Sequence, residues 1–91
     1  MNLEAKSKLQ TRLKRAGGQI QGIQKMLDED RYCMDIMAQT RAVISAMRRF
    51  EQEILRNHMQ TCVTEAFEHG DDSDREQKIA EVIRALDTLG A

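Results

Sequence analysis

Residues 31–69 read RYCMDIMAQTRAVISAMRRFEQEILRNHMQTCVTEAFEH, without a proline. Ile36, Thr40, Val43, Met47, Phe50 and Ile54 recur at heptad spacing, and Met37, Ile44, Leu55, Met59, Cys62 and Ala66 make a second stripe. The period is that of an amphipathic helix with two apolar faces. At about 1.5 Å per residue it would reach roughly 55 Å, whereas a compact domain of this size is only about 25–30 Å across. Such a helix cannot be covered by its own chain. One stripe needs internal neighbours and the other needs a second copy, so a dimer is expected from length and pattern.

Working outward, Leu9, Leu13, Ala16, Ile20, Ile23 and Leu27 form an amphipathic stripe in a first helix. Gly17, Gly18 and Gly22 fall inside it. Each costs helix stability, which suggests close approach of another backbone or, failing that, a kink. Asp28-Glu29-Asp30 breaks the pattern, with Asp30 expected as the N-cap of the long helix. Gly70 is placed to end that helix. Asp71 to Asp74 read as a polar loop, and Ser73 with Glu76 as a capping box. Ile79, Val82, Ile83, Leu86 and Leu89 then make a short third helix. The reading is one all-α domain over residues 1–91, with helices at about 3–28, 31–69 and 74–89.

Composition agrees. The 91 residues contain no Pro, five Gly and three aromatic side chains, against many strong helix formers. So small a chain has little to bury and is expected to lean on another subunit. There is no 18-residue apolar run, and Met1–Lys8 lacks the apolar centre of a signal peptide, so a cytoplasmic protein without membrane partners is expected. In that reducing compartment Cys33 and Cys62 should be free thiols. No Ser-His-Asp arrangement, phosphate loop or open metal site beside a general base is visible, so an enzyme is not expected.

His58 and Cys62 are four residues apart, which on a helix puts an imidazole and a thiol on one face. Taken alone, such a pair is as readily a hydrogen-bonded His and a small core Cys. Two ligands do not close a metal site. Cys33 lies roughly 37 Å from His58 along a straight helix, beyond reach within one chain but within reach in an antiparallel pair. The site would then combine Cys33 of one subunit with His58 and Cys62 of the other. Two thiolates and one imidazole suit Cu(I) best; Zn(II) would want a fourth ligand, and Ni(II) could add a backbone or water donor. His69 reads as a helix-end or solvated residue.

The net charge of -1 hides an asymmetry. Lys6, Lys8, Arg12, Lys14, Arg15 and Lys25 face only Glu4 in the first 26 residues, a segment of +5. Glu65, Glu68, Asp71, Asp72, Asp74, Glu76 and Glu81 face only Arg75 and Lys78 in residues 65–81, a segment of -5. A basic first helix is either a solvated face or a nucleic-acid footprint.

The order of these features carries a resemblance. Arg12-Leu13-Lys14-Arg15-Ala16-Gly17-Gly18-Gln19-Ile20-Gln21-Gly22-Ile23 is followed by Asp28-Glu29-Asp30-Arg31-Tyr32-Cys33-Met34-Asp35-Ile36, then Asn57-His58 and Cys62-Val63 with Glu65-Ala66. From about Leu9 to Leu86 the chain resembles the copper-sensitive operon repressor family, of CsoR/RcnR type. The resemblance implies an intertwined antiparallel dimer, a dimer-of-dimers tetramer, and a transcriptional repressor that binds operator DNA without metal. It implies Cys33, His58 and Cys62 as metal ligands. The family's nickel and cobalt sensors usually carry an N-terminal His and replace the second Cys, its formaldehyde sensors rely on an N-terminal Pro, and its persulfide sensors lack the His. Copper is the inducer that survives these comparisons. A Ni(II) sensor with the same three ligands, a persulfide or thiol-redox regulator using Cys33 and Cys62, and a copper buffer without a DNA role are the alternatives. The resemblance further implies a network from Tyr32 through the ligand His to a third-helix glutamate, Glu81 by alignment with Glu76 as rival. Lys8, Arg12, Lys14 and Arg15 would supply phosphate contacts, extended by Arg48 and Arg49.

Overall fold

The computed structural model describes residues 1–90. Helix α1 spans Leu3–Asp28, α2 spans Cys33–His58, α3 spans Thr64–His69 and α4 spans Asp72–Gly90. Between α2 and α3 the chain makes a π-helical turn at Met59–Val63. The backbone stays helical through both junctions, so α2, the π turn and α3 are one continuous rod. The architecture is all-α, built from three rods.

Helix α1 starts where Asn2 Oδ1 accepts from the Ala5 amide at 2.8 Å. It ends in a left-handed cap: Asp30 has φ 53, the Asp30 amide donates to Leu27 O at 3.2 Å and the Arg31 amide to Met26 O at 3.0 Å. Asp30 therefore closes α1 instead of capping α2, a role Asp can fill because it tolerates this backbone region. The residue that precedes α2 is Tyr32, whose side chain makes no cap bond, and Cys33 is the first residue of the helix. The expected Ser73–Glu76 box is also displaced. The Asp71 amide donates to Asp74 Oδ2 at 3.1 Å while the Asp74 amide donates to Asp71 Oδ1 at 2.9 Å, so two aspartates make the reciprocal cap and Ser73 lies inside α4. Gly70 is needed for room: a β-carbon there would sit 2.6 Å from Ala66 O and 2.9 Å from Asp74.

The π turn re-phases the long rod. One inserted residue rotates everything after it by about 100°. Ala66 then holds the phase that position 65 would have on an unbroken helix, in line with Ile36, Val43, Phe50 and Ile54. It is buried. Thr61 and Thr64 donate their hydroxyls to Asn57 O at 2.8 Å and Met59 O at 2.9 Å, tying the widened turn at both ends.

Helix α1 runs antiparallel along α2, and α4 folds back along the end of α2, the π turn and α3; among the described residues α1 and α4 do not touch. The result is a slab of 57 × 29 × 12 Å, about one helix thick. Its radius of gyration is 17.7 Å, against about 12 Å for a compact chain of this length. The α1–α2 seam uses Leu9, Ala16 and Ile23, half of the first-helix stripe; Leu13, Ile20 and Leu27 stay exposed, as do Met37, Met47, Ile44, Ile79, Ile83 and Leu86. Among the described residues the buried apolar side chains are Leu9, Ala16 and Ala66. The accessible surface of 7183 Å² exceeds the roughly 5,400 Å² expected for a monomer of this mass. The apolar residues on the open faces of the slab are left uncovered by the chain itself. Gly17, Gly18 and Gly22 have nothing of the chain within 4 Å of an added β-carbon, so the close approach expected for them is not made within one chain. They lie away from the α2-facing edge, and α1 runs through them as one helix.

Candidate metal centre and nucleic-acid groove

His58 closes α2, and its Nε2 lies 3.1 Å from Glu81 Oε2 on α4. Both side chains are about one-third exposed, at 32% and 38%. The hydrogen bond from His58, with Lys78 Nζ 3.4 Å from the other oxygen, holds the Glu81 carboxyl below the usual carboxylate range despite the opposing effect of burial. An ionised Glu81 can only accept, so the hydrogen in this contact sits on Nε2, and Nδ1 is the ring nitrogen that this bond leaves free. An imidazole held this way is oriented as a ligand, with the acceptor behind it fixing tautomer and ring direction.

Cys62 lies within the π turn, exposed, with its Sγ 3.6 Å from Thr61 Oγ1. Cys33 is a free exposed thiol at the opposite end of α2, roughly 37 Å away. Tyr32 beside it is exposed, and its side chain makes no hydrogen bond among the described residues. No cluster of three or more His, Cys, Asp or Glu side chains able to hold a metal forms among the described residues. The single chain thus brings His58, Glu81 and the Cys62 turn to one end and leaves Cys33 and Tyr32 at the other. The donors present, two free thiols and the ring nitrogen of His58 that Glu81 leaves free, fit a soft ion. Of the two candidate glutamates Glu81 reaches His58, while Glu76 is exposed on α4.

On the other side of the same turn lies a groove of about 730 Å³ between the first half of α1 and the second half of α2. Lys8, Arg12, Arg15 and Arg49 line it, joined by Arg56, Asn57 and Gln60, with Glu4 and Glu53 as the acids. Glu4 is paired with Lys8 at 3.4 Å. Lys14 and Arg48 are exposed and stand outside the groove. Arg56 was missed by sequence reading, although its place seven residues after Arg49 puts both on one helix face. Lys78, the cation behind Glu81, was missed for lack of any signal short of knowing which α4 residue faces α2. A smaller groove of about 380 Å³ opens beside His58 and Glu81, walled by Ile54, Leu55, Ala85 and Leu89.

Residues 5–88 match the family model described as metal-sensitive transcriptional repressor. The chain belongs to this repressor family. It is 42% identical over 78 residues to the copper-sensing transcriptional repressor CsoR of Bacillus subtilis (strain 168), which covers 86% of this chain and 74% of the relative. It is 40% identical over 78 residues to the copper-sensing transcriptional repressor RicR of Mycobacterium tuberculosis, covering 86% and 80%. Among solved structures, the copper-sensing repressor CsoR with Cu(I) from Geobacillus thermodenitrificans NG80-2 superposes with a TM-score of 0.88 at 32% identity, over 100% of this chain and 92% of that one. The nickel-responsive transcriptional regulator InrS superposes with a TM-score of 0.76 at 37% identity, over 98% and 93%. The repressor family expected from the Arg12–Ile23, Asp28–Ile36 and His58–Ala66 segments is the family found. No helix among the described residues is long and apolar enough to cross a membrane.

Proposed function

We propose that this repressor binds operator DNA in the metal-free state and releases it when Cu(I) binds at a site shared between subunits, with Cys33 from one and His58 and Cys62 from the other. The observation that carries the reading is the split of the ligand set. His58 offers Nδ1 beside the Cys62 turn at one end of the rod, the complementary thiol stands at the far end, and the faces between are apolar and uncovered. An antiparallel copy would cover those faces and bring Cys33 of the partner subunit to His58 and Cys62. A homodimer is the minimum unit, and the family resemblance adds a tetramer. The copper-sensing relatives support Cu(I) as the inducer.

Cys33 of one subunit with His58 and Cys62 of the other would hold Cu(I), which would supply a soft centre suited to thiolate and imidazole donors. The chain's own residues carry the response. Fixing His58 through Nδ1 constrains its bond to Glu81, and Glu81 is the side-chain link from α2 to α4. Tyr32 of the partner subunit would join this network. The basic groove begins one residue away, at Asn57 and Arg56, so a shift at His58 alters the surface that meets phosphate. With three aromatic residues in the whole chain, phosphate contacts and DNA shape would set affinity. A coupling of about 1–3 kcal/mol between metal and DNA suffices for the switch.

Ni(II) is the second reading, favoured by the similarity to a nickel-responsive regulator at 37% identity. A persulfide link between Cys33 and Cys62 needs no imidazole and leaves the His58–Glu81 pair without a role. A copper buffer without DNA needs no basic groove. Titration of the reduced protein with Cu(I) and separately with Ni(II), read out by release of upstream DNA in fluorescence anisotropy, tests the assignment. Release by Cu(I) at one equivalent per site supports it, and release by Ni(II) alone overturns it.

A further inference from the structure

We infer that Lys78 is a positioning residue for the metal response: it pins the Glu81 carboxylate to α4, so that movement at His58 passes to the helix and is not absorbed by a flexible side chain. The inference rests on the reading of His58 as a metal ligand and of Glu81 as its link to α4. Lys78 Nζ donates to Glu81 Oε1 at 3.4 Å and to Oε2 at 3.5 Å, and His58 Nε2 stands 3.1 Å from the same Oε2. The carboxylate is thus held at both oxygens. A glutamate held at its tip by an imidazole alone keeps much of its rotamer freedom, and rotation within that side chain can take up a displacement of the ring. With the ammonium across both oxygens, such a rotation breaks a contact to Lys78, one turn earlier on the same helix. A shift of His58 is then carried to the α4 backbone at two positions, 78 and 81.

The pair differs from the other lysine pairs of the chain. The Lys78 side chain is 29% exposed, whereas in Glu4–Lys8 and Lys25–Glu29 every side chain is at least half exposed. Exposed pairs of that kind contribute little, because solvent screens them and two long side chains must be ordered. Within a helix the order Lys before Glu is also the less favourable one, so the pair is poorly placed to serve α4 alone. Arg75, on the preceding turn, is held by Asp72 at 3.3 Å and by the Phe67 carbonyl at 3.2 Å. Lys78 stands outside the basic groove, so phosphate contact does not account for it.

The test uses Lys78→Met, which keeps the aliphatic stem and removes the charge, and Lys78→Arg, which restores a cation, in the full-length oligomer with and without Glu81→Ala. DNA affinity is measured by anisotropy with and without Cu(I), Cu(I) affinity by chelator competition, and exchange of the His58 Nε2 hydrogen by NMR of the metal-free protein. Lys78→Met should keep its metal-free DNA affinity, its salt slope and its Cu(I) affinity. Its Cu(I)-driven loss of DNA affinity should shrink about three- to fivefold, the scale of a partly exposed charged pair. Its Nε2 hydrogen should exchange faster with water, since the acceptor is less firmly held. Lys78→Arg should recover both readouts. Added to Glu81→Ala, Lys78→Met should cost nothing more, because residues acting through one contact are not additive. Full Cu(I)-driven release from Lys78→Met overturns the inference, as does an Nε2 hydrogen that exchanges at the wild-type rate. Weaker metal-free DNA binding would make Lys78 a phosphate contact, and a further loss in the double variant would make its role independent of Glu81; either also overturns it. Should Lys78→Met fold poorly, Lys78→Gln carries the same readouts. Normal release from His58→Ala or Glu81→Ala would mean that the underlying reading has failed. Loss of release from those two with full release from Lys78→Met would mean that Lys78 alone has.

Discussion

Nε2 of His58 and Oε2 of Glu81 stand 3.1 Å apart, joining the last residue of α2 to the middle of α4 across 23 positions of sequence. In the proposed function the pair joins a metal ligand to α4. Glu81 accepts the hydrogen on Nε2, and in the proposed site Nδ1 is the coordinating nitrogen. Replacing it by Ala should leave Cu(I) bound tightly through Cys33, His58 and Cys62 but reduce the Cu(I)-driven loss of DNA affinity by about tenfold or more, the scale of an interaction with a charged group. Chelator competition and DNA anisotropy on the same sample check this. Normal release from Glu81→Ala would remove the pair from the mechanism.

The proposed sharing of the site between subunits makes a complementation prediction. Cys33→Ala and His58→Ala chains should each lose Cu(I)-driven release as pure oligomers. Mixed after unfolding and refolding, they should form heterodimers with one complete site, because one chain still supplies Cys33 and the other still supplies His58 with Cys62. Copper stoichiometry of the purified heterodimer should be half that of the wild type. A heterodimer that binds no copper would mean the three ligands come from one chain.

The basic groove predicts which cations matter. Arg49→Gln and Arg56→Gln remove side chains that line it, whereas Lys14→Gln and Arg48→Gln remove side chains outside it. Each groove variant should weaken metal-free DNA binding and lower the magnitude of the log–log salt slope by about 0.9 if it loses one phosphate contact. The two outside variants should change the slope far less. Salt titrations of DNA binding decide, and equal slopes across all four would place the DNA elsewhere.

The open apolar faces predict a concentration-dependent fold. A slab one helix thick, with Leu13, Ile20 and Ile44 exposed, would gain most of its buried surface from a second copy. The melting temperature should therefore rise with protein concentration. Ile44→Asp would place a charge on the uncovered stripe of α2 and should convert the oligomer to a poorly helical monomer, which sedimentation and circular dichroism would detect. A stable, helical Ile44→Asp monomer would show that the faces need no cover.

The sequence by itself determined the all-α class, the length mismatch from which a second chain is expected, and the candidate ligands Cys33, His58 and Cys62. These are properties of period, reach and side-chain chemistry, which survive any particular packing. Helix existence was legible because each stripe repeats many times along its helix. Three features were decided only in three dimensions. Asp30 serves α1 as a left-handed cap and not α2 as an N-cap, because an aspartate can fill either role and the choice depends on which helix reaches it with an unpaired group. The π turn has no periodic signature, since one extra residue in a stripe looks like ordinary variation until Ala66 is found buried on the re-phased face. Glu81, preferred by alignment with Glu76 as rival, was set apart by contact only once α4 was laid against α2, where it reaches His58. Local pattern specifies which residues can act; which of them meet is set by how the rods lie against one another.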